Sequence, residues 1–180
     1  RLVAGTTEPM LGQMRLAWWR EALGQPVTAR PKGDAVLDAL GAHWAGQESA
    51  LGTLIDGWEY LLGEPPLARA DARGFVQGRA SGFAGFARLS GASGDLSAVQ
   101  DAATAWAIAD AAAHFAKDAE RATLLELARD LPAPKSLDAP LRGLAVLGAL
   151  GRRALKRGGK PLMQGRGASL TALRAGLFGR

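Results

Sequence analysis

Apolar residues recur along this chain at spacings of three and four, and nowhere do they alternate with period two over the length of a strand. The pattern therefore predicts helices throughout. The first runs over residues 8–24: Thr7 is placed to cap it, Pro9 sits in the first turn, and Gly24 suits its end. Leu11, Met14, Trp18 and Ala22 share one face, which Trp19 and Leu23 widen. Adjacent helical side chains point about 100° apart, so Trp18 and Trp19 are expected to be buried against two different neighbours, making this helix a hub.

Further helices follow in order. Asp34 caps one reaching His43 or Trp44, with Val36, Leu37 and Leu40 inward. After a turn at 46–49, Leu51, Leu54, Ile55, Trp58, Leu61 and Leu62 line another, stopped by Gly63 and Pro65-Pro66. Residues 70–89 form a helix carrying Gly74, Gly78, Gly82 and Gly85. Each interior glycine costs up to ~1 kcal/mol relative to alanine, so the series predicts either close approach of a second helix or room for a ligand. Asp95 caps the longest stretch, 96–127, with a break expected at 118–122. Val99, Ala103, Trp106, Ala107 and Asp110 lie close to one of its faces. An acid beside such a stripe is either a partner for arginine or a ligand group. Asp138 and Pro140 open a leucine-lined helix, and Ser169 caps a last one with Leu170, Leu173 and Leu177.

A length of 180 residues suits one domain with a real core. The charge of +5 changes the picture only through its distribution. Arg142, Arg152, Arg153, Lys156, Arg157, Lys160, Arg166, Arg174 and Arg180 meet no acid after Asp138. Such a segment is a solvated basic face or a peripheral contact for an anionic membrane or an acidic partner. Interleaved aromatics for base stacking are missing there, so nucleic acid is not an expected partner. No cysteine is present, which removes disulfides and thiolate metal sites and fits a reducing, cytoplasmic location. His43 and His114 have no second ligand at metal spacing. Gly165 and Gly167 follow no strand and lack the phosphate-loop lysine, and no nucleophile triad has local support.

Three stretches carry a resemblance. The helix Glu8-Pro9-Met10-Leu11, continuing through Arg15-Leu16-Ala17-Trp18-Trp19-Arg20 to Leu23, resembles squalene/phytoene synthase-like proteins, especially their diverged bacterial branch. Phe75-Val76-Gln77-Gly78-Arg79-Ala80-Ser81-Gly82 is similar to the segment that lines the prenyl-chain cavity in that family. Here Phe75 replaces the usual tyrosine, Gln77 the second aromatic, and Ser81 a glycine. Ala116-Lys117-Asp118-Ala119-Glu120-Arg121-Ala122 is the counterpart of an R-D-x-x-x-D signature whose aspartates hold magnesium against a diphosphate. Lys117 replaces the arginine and Ala122 the second aspartate, while Glu120 points to another face. Glu126 and Asp130 have one-turn spacing but read as a solvated surface pair.

The resemblance implies an all-α, isoprenoid-synthase-like bundle of about seven to eight helices. It implies one domain over 1–180, incomplete at its N-terminus, with the family's first aspartate motif upstream of Arg1. Phe75, Gly78, Ser81, Gly82 and Phe83 become the expected cavity lining, and Asp118 and Asp110 the remnant of a diphosphate or metal site. Magnesium binds through one or two carboxylates plus phosphate oxygens, so a lost carboxylate weakens the case for Mg2+ chemistry. Three expectations follow. The chain is a degenerate relative binding a prenyl diphosphate or other apolar ligand without efficient turnover; an active prenyl transferase; or a helical assembly protein binding a protein partner, as one branch of the family does for a respiratory complex.

Overall fold

The computed structural model describes residues 9–63, 65–92 and 94–179. Over these residues the chain is all-α, with eight α-helices and no strand. They are α1 (Pro9–Gly24), α2 (Ala35–His43), α3 (Glu48–Glu59), α4 (Arg69–Leu89), α5 (Leu96–His114), α6 (Asp118–Leu127), α7 (Arg142–Leu155) and α8 (Gly167–Phe178). Their packing forms a succession: α1 on α3, α3 on α4, α4 on α5, α5 on α7, and α7 on α8, with α6 set against α5 and α4. The outermost members of that succession are α1 and α8. None of the described helices is long and apolar enough to cross a membrane.

Local chemistry explains most boundaries. The Asp34 carboxylate accepts from the amides of Val36 and Leu37 and starts α2, and Asp95 accepts from the Ser97 amide and starts α5. The break in the long helical stretch falls at 115–117, a little before its expected place. Arg121 explains it by reaching back to donate to the Ala112 and Phe115 carbonyls, satisfying the end of α5 from the first turns of α6. Two other expectations shift. A 3₁₀ turn at Ala139–Leu141 precedes α7, and α8 begins at Gly167, so Ser169 lies inside it rather than capping it. The expected Thr7 cap lies outside the described residues.

The interior rests on small side chains. Apart from Val99 and Ile108, every buried residue of α5 is alanine. At the α3–α4 crossing, a Cβ placed on Gly78 would lie 2.5 Å from the Gly57 Cα and 2.7 Å from the Thr53 carbonyl oxygen. Only glycine permits that approach. The α5–α7 crossing works alike, Gly148 against Ala102 and Gly151 against Ala105. Three apolar clusters fill the remaining space. Phe75, Ile108 and Leu124 anchor one, Val99, Leu141 and Leu144 the second, and Leu16, Leu37 and Ile55 the third.

Helix α1 departs from its expected orientation. Leu16 is fully buried, with Ala22 and Leu23, and Trp19 packs on that cluster. Trp18 is 41% exposed, and Met10, Leu11 and Met14 face solvent more fully still. The inward seam is thus rotated by one residue, and α1 is a flank rather than a hub. Two apolar stripes compete on this helix; the buried one packs Leu16, Leu23 and Trp19 with Leu37 and Ile55, and Arg20 adds contacts to Asp56 at 2.7 Å and Glu59 at 2.8 Å on α3. On α2, Val36 is likewise exposed, leaving Leu37 as its one buried residue.

Candidate functional site

Helical spacing assembles the most chemically distinctive cluster. On α4, Phe75, Arg79 and Phe83 follow one another at four-residue intervals; on α5, Trp106, Asp110 and His114 do the same. Each trio therefore lines one face of its helix, and the two helices pack together. Arg79 Nη1 donates to Asp110 Oδ2 at 2.8 Å, and the side chains keep only 11% and 26% of their exposure. The guanidinium carbon lies 4.3 Å from the Trp106 ring centre, 5.5 Å from that of Phe75 and 5.7 Å from that of Trp58. Edge-on ring pairs close the surround, Trp58 with Phe75 and Phe83 with Trp106. A cation enclosed by aromatic faces and one carboxylate is well stabilised, and the cation here is the protein's own.

His114 extends the cluster to the surface. Its Nδ1 lies 2.7 Å from the Asp110 carbonyl oxygen, an acceptor, so Nδ1 carries the proton and Nε2 is left for solvent. The Asp110 carboxylate is 3.6 Å from the same ring nitrogen.

Asp110 and Asp118 each have their own partner. Asp118 opens α6 with its side chain 97% exposed, 3.6 Å from Arg121, while Asp110 is committed to Arg79. Glu120 turns away from Asp118 toward Lys117 and is largely covered. Glu126 and Asp130 are exposed and converge on Arg69, each at 3.2 Å. Among the described residues no group of three or more histidines and carboxylates is gathered to hold a metal. These side chains therefore do not fit a magnesium-diphosphate site: Asp110 is neutralised by Arg79, Asp118 lies exposed beside Arg121, and Ala122 has no oxygen to offer.

The five expected lining residues have distinct environments. Phe75 is buried in the cluster below Arg79, and Gly78 is spent on the crossing with Gly57. Phe83 meets Trp106 edge-on. Ser81 donates its hydroxyl to the Gln77 carbonyl within the same helix. Gly82 is the loosest, its nearest prospective neighbour being the Ala50 carbonyl oxygen at 3.9 Å. Arg79 and Trp58 complete the site without having been singled out from the sequence. The repeat of an aromatic, an arginine and an aromatic at positions 75, 79 and 83 was the available signal.

A more open apolar groove lies between α6 and α7, lined by Leu125, Ala128, Leu131, Pro132, Leu155 and Arg152. Burial pushes the Arg152 guanidinium below its ordinary range. Compared with known proteins, the chain matches no family model, no curated protein and no solved structure.

Proposed function

We propose that this chain is a squalene/phytoene synthase-like helical domain of the isoprenoid-synthesis lineage that holds an apolar or prenyl ligand without efficient turnover. The observation that carries the reading is the Arg79–Asp110 pair inside the Trp58, Phe75 and Trp106 surround. A prenyl transferase must present carboxylates to magnesium and aromatic faces to a developing carbocation. Here the protein's own guanidinium engages both the carboxylate and the rings. The resemblance at residues 8–24 and 75–82 supplies the lineage, and Ala122 in place of the second aspartate supports loss of the chemistry.

The test is calorimetry with a farnesyl diphosphate analogue, with and without magnesium. The expected result is no magnesium-dependent binding. Micromolar binding that requires magnesium and disappears in Asp118→Asn or Asp110→Asn would overturn this reading in favour of an active prenyl transferase. A second reading, an assembly protein that binds a protein partner, is favoured by the solvent-facing Met10, Leu11, Met14 and Trp18 of α1. It predicts no prenyl ligand at all.

A further inference from the structure

Helix α8 is built the wrong way round for a helix that only packs on its neighbour. Ala168 and Ala175 are its buried residues, and they face α7. Leu170, Leu173 and Leu177, spaced by three and four, fall together on the opposite side and are 70%, 61% and 62% exposed. Phe178 at the end of the helix and Met163 in the loop before it are also exposed. Large apolar side chains in water and small ones in the interface leave a leucine stripe with no partner among the described residues.

Charge indicates what covers it. From residue 139 onward the sequence contains no acid. Lys156, Arg157, Lys160, Arg166 and Arg174 are exposed, and none pairs with a described acid. The arginines also gather at the start of α8. Guanidinium nitrogens of Arg157 and Arg153 lie 3.3 Å from where a Cβ would stand on Gly165 and Gly167, respectively. Arg174 flanks the leucine stripe itself. Helix α1, which also exposes apolar side chains, differs in that its Arg20 is neutralised by Asp56 and Glu59.

We propose that α8 docks this domain on an anionic lipid surface, lying in the plane of the interface with Leu170, Leu173 and Leu177 among the acyl chains. An amphipathic helix of this type binds through apolar area together with attraction of its basic residues to anionic headgroups. Each basic side chain brought to such a leaflet raises partitioning by about fivefold at low salt. The proposal stands on α8 and the basic residues leading into it, and is independent of any prenyl ligand.

The test is co-sedimentation of the 180-residue chain with vesicles of phosphatidylcholine alone and of phosphatidylcholine mixed with phosphatidylserine. The expected result is at least ~10-fold stronger partitioning onto the phosphatidylserine vesicles, abolished by high salt. Leu173→Ser with Leu177→Ser should lower it about tenfold, and Arg166→Gln with Arg174→Gln should remove most of the preference for phosphatidylserine. Both double variants should keep the circular dichroism spectrum and melting temperature of the parent, since all four side chains are exposed. Equal binding to the two vesicle types, no binding to either, or binding indifferent to the leucine changes would overturn the proposal. So would a dimer in light scattering that the leucine changes dissolve, which would give the face to a second copy.

Discussion

The centre of the succession, α3–α4–α5, and its outer helix α1 hold themselves in place by different physics. In the centre, glycine and alanine let backbones approach to contact distance, and attraction is spread over many short contacts. At the flank, α1 contributes one narrow seam around Leu16 and is otherwise fastened by arginines: Arg20 to Asp56 and Glu59, and Arg30 to Glu48. Close packing is intolerant of added volume and indifferent to pH. Polar fastening is the reverse, and four tests separate the two.

The largest effect belongs to the crossing. Gly78→Leu should cost about 3 kcal/mol or more, because even its Cβ would meet the Gly57 backbone, which cannot move aside as a flexible side chain could. Gly82→Ala, one turn further along α4, should gain up to ~1 kcal/mol from helix propensity, since its methyl group meets nothing closer than 3.9 Å. Urea denaturation of both variants checks the pair. Equal costs would mean that the α3–α4 approach is looser than its geometry.

These two glycines also show how far the sequence could be read. Four glycines on one helix announced a special face, but whether each met a backbone or open space depended on Gly57 and Ala50, distant residues that no local pattern names. Helix starts at Asp34 and Asp95 were legible because a cap acts on amides two or three residues away. The rotation of α1 was not, because both of its stripes satisfy helical periodicity and the choice is made by distant residues, Leu37 and Ile55, with which Leu16 and Leu23 pack. Asp110 was recognisable as either an arginine's partner or a ligand group, and Arg79 across the helix interface is its partner in the fold.

Second in size is that pair. Exposed ion pairs contribute at most ~1 kcal/mol, while breaking a fully buried one costs about 3–5 kcal/mol. With partial cover on both sides, Asp110→Asn should cost about 2 kcal/mol. Arg79→Ala should cost more, since it also removes the stacking on Trp106. A double-mutant cycle with coupling below about 0.5 kcal/mol would show that the rings hold Arg79 without the carboxylate.

The flank is where acidity should act. Arg30 is buried and donates to the Leu23 and Gln25 carbonyls at the end of α1 as well as to Glu48 on α3. The Glu48 carboxyl is held below its ordinary value of 4.5 chiefly because Arg30 donates to it, with burial opposing. A depressed folded value means the stabilisation is fully present above about pH 4.5 and is lost as pH falls through the folded value. Glu48→Gln should therefore cost about 1 kcal/mol near neutrality, with the gap from the parent narrowing in acid. A gap unchanged across that range would remove ionisation from the account of how α1 is fastened.

The smallest effect is the one that most sharpens the contrast. Trp18 and Trp19 are adjacent, equal in size and in edge-on contact with their ring centres 5.1 Å apart, yet only Trp19 packs on the Leu16 cluster. Truncating a buried tryptophan costs about 3–5 kcal/mol, and a half-covered one loses a fraction of that. Trp19→Ala should then cost about 2 kcal/mol, through the cavity left beside Leu16 and Leu23. Trp18→Ala should cost less than about 1 kcal/mol, because the residue is 41% exposed and lies outside the Leu16 cluster. Guanidinium denaturation followed by circular dichroism, which does not depend on the fluorophores removed, compares the two. If Trp18→Ala proved as costly as Trp19→Ala, both sides of α1 would be packed, and the helix would be the hub that its apolar pattern first suggested.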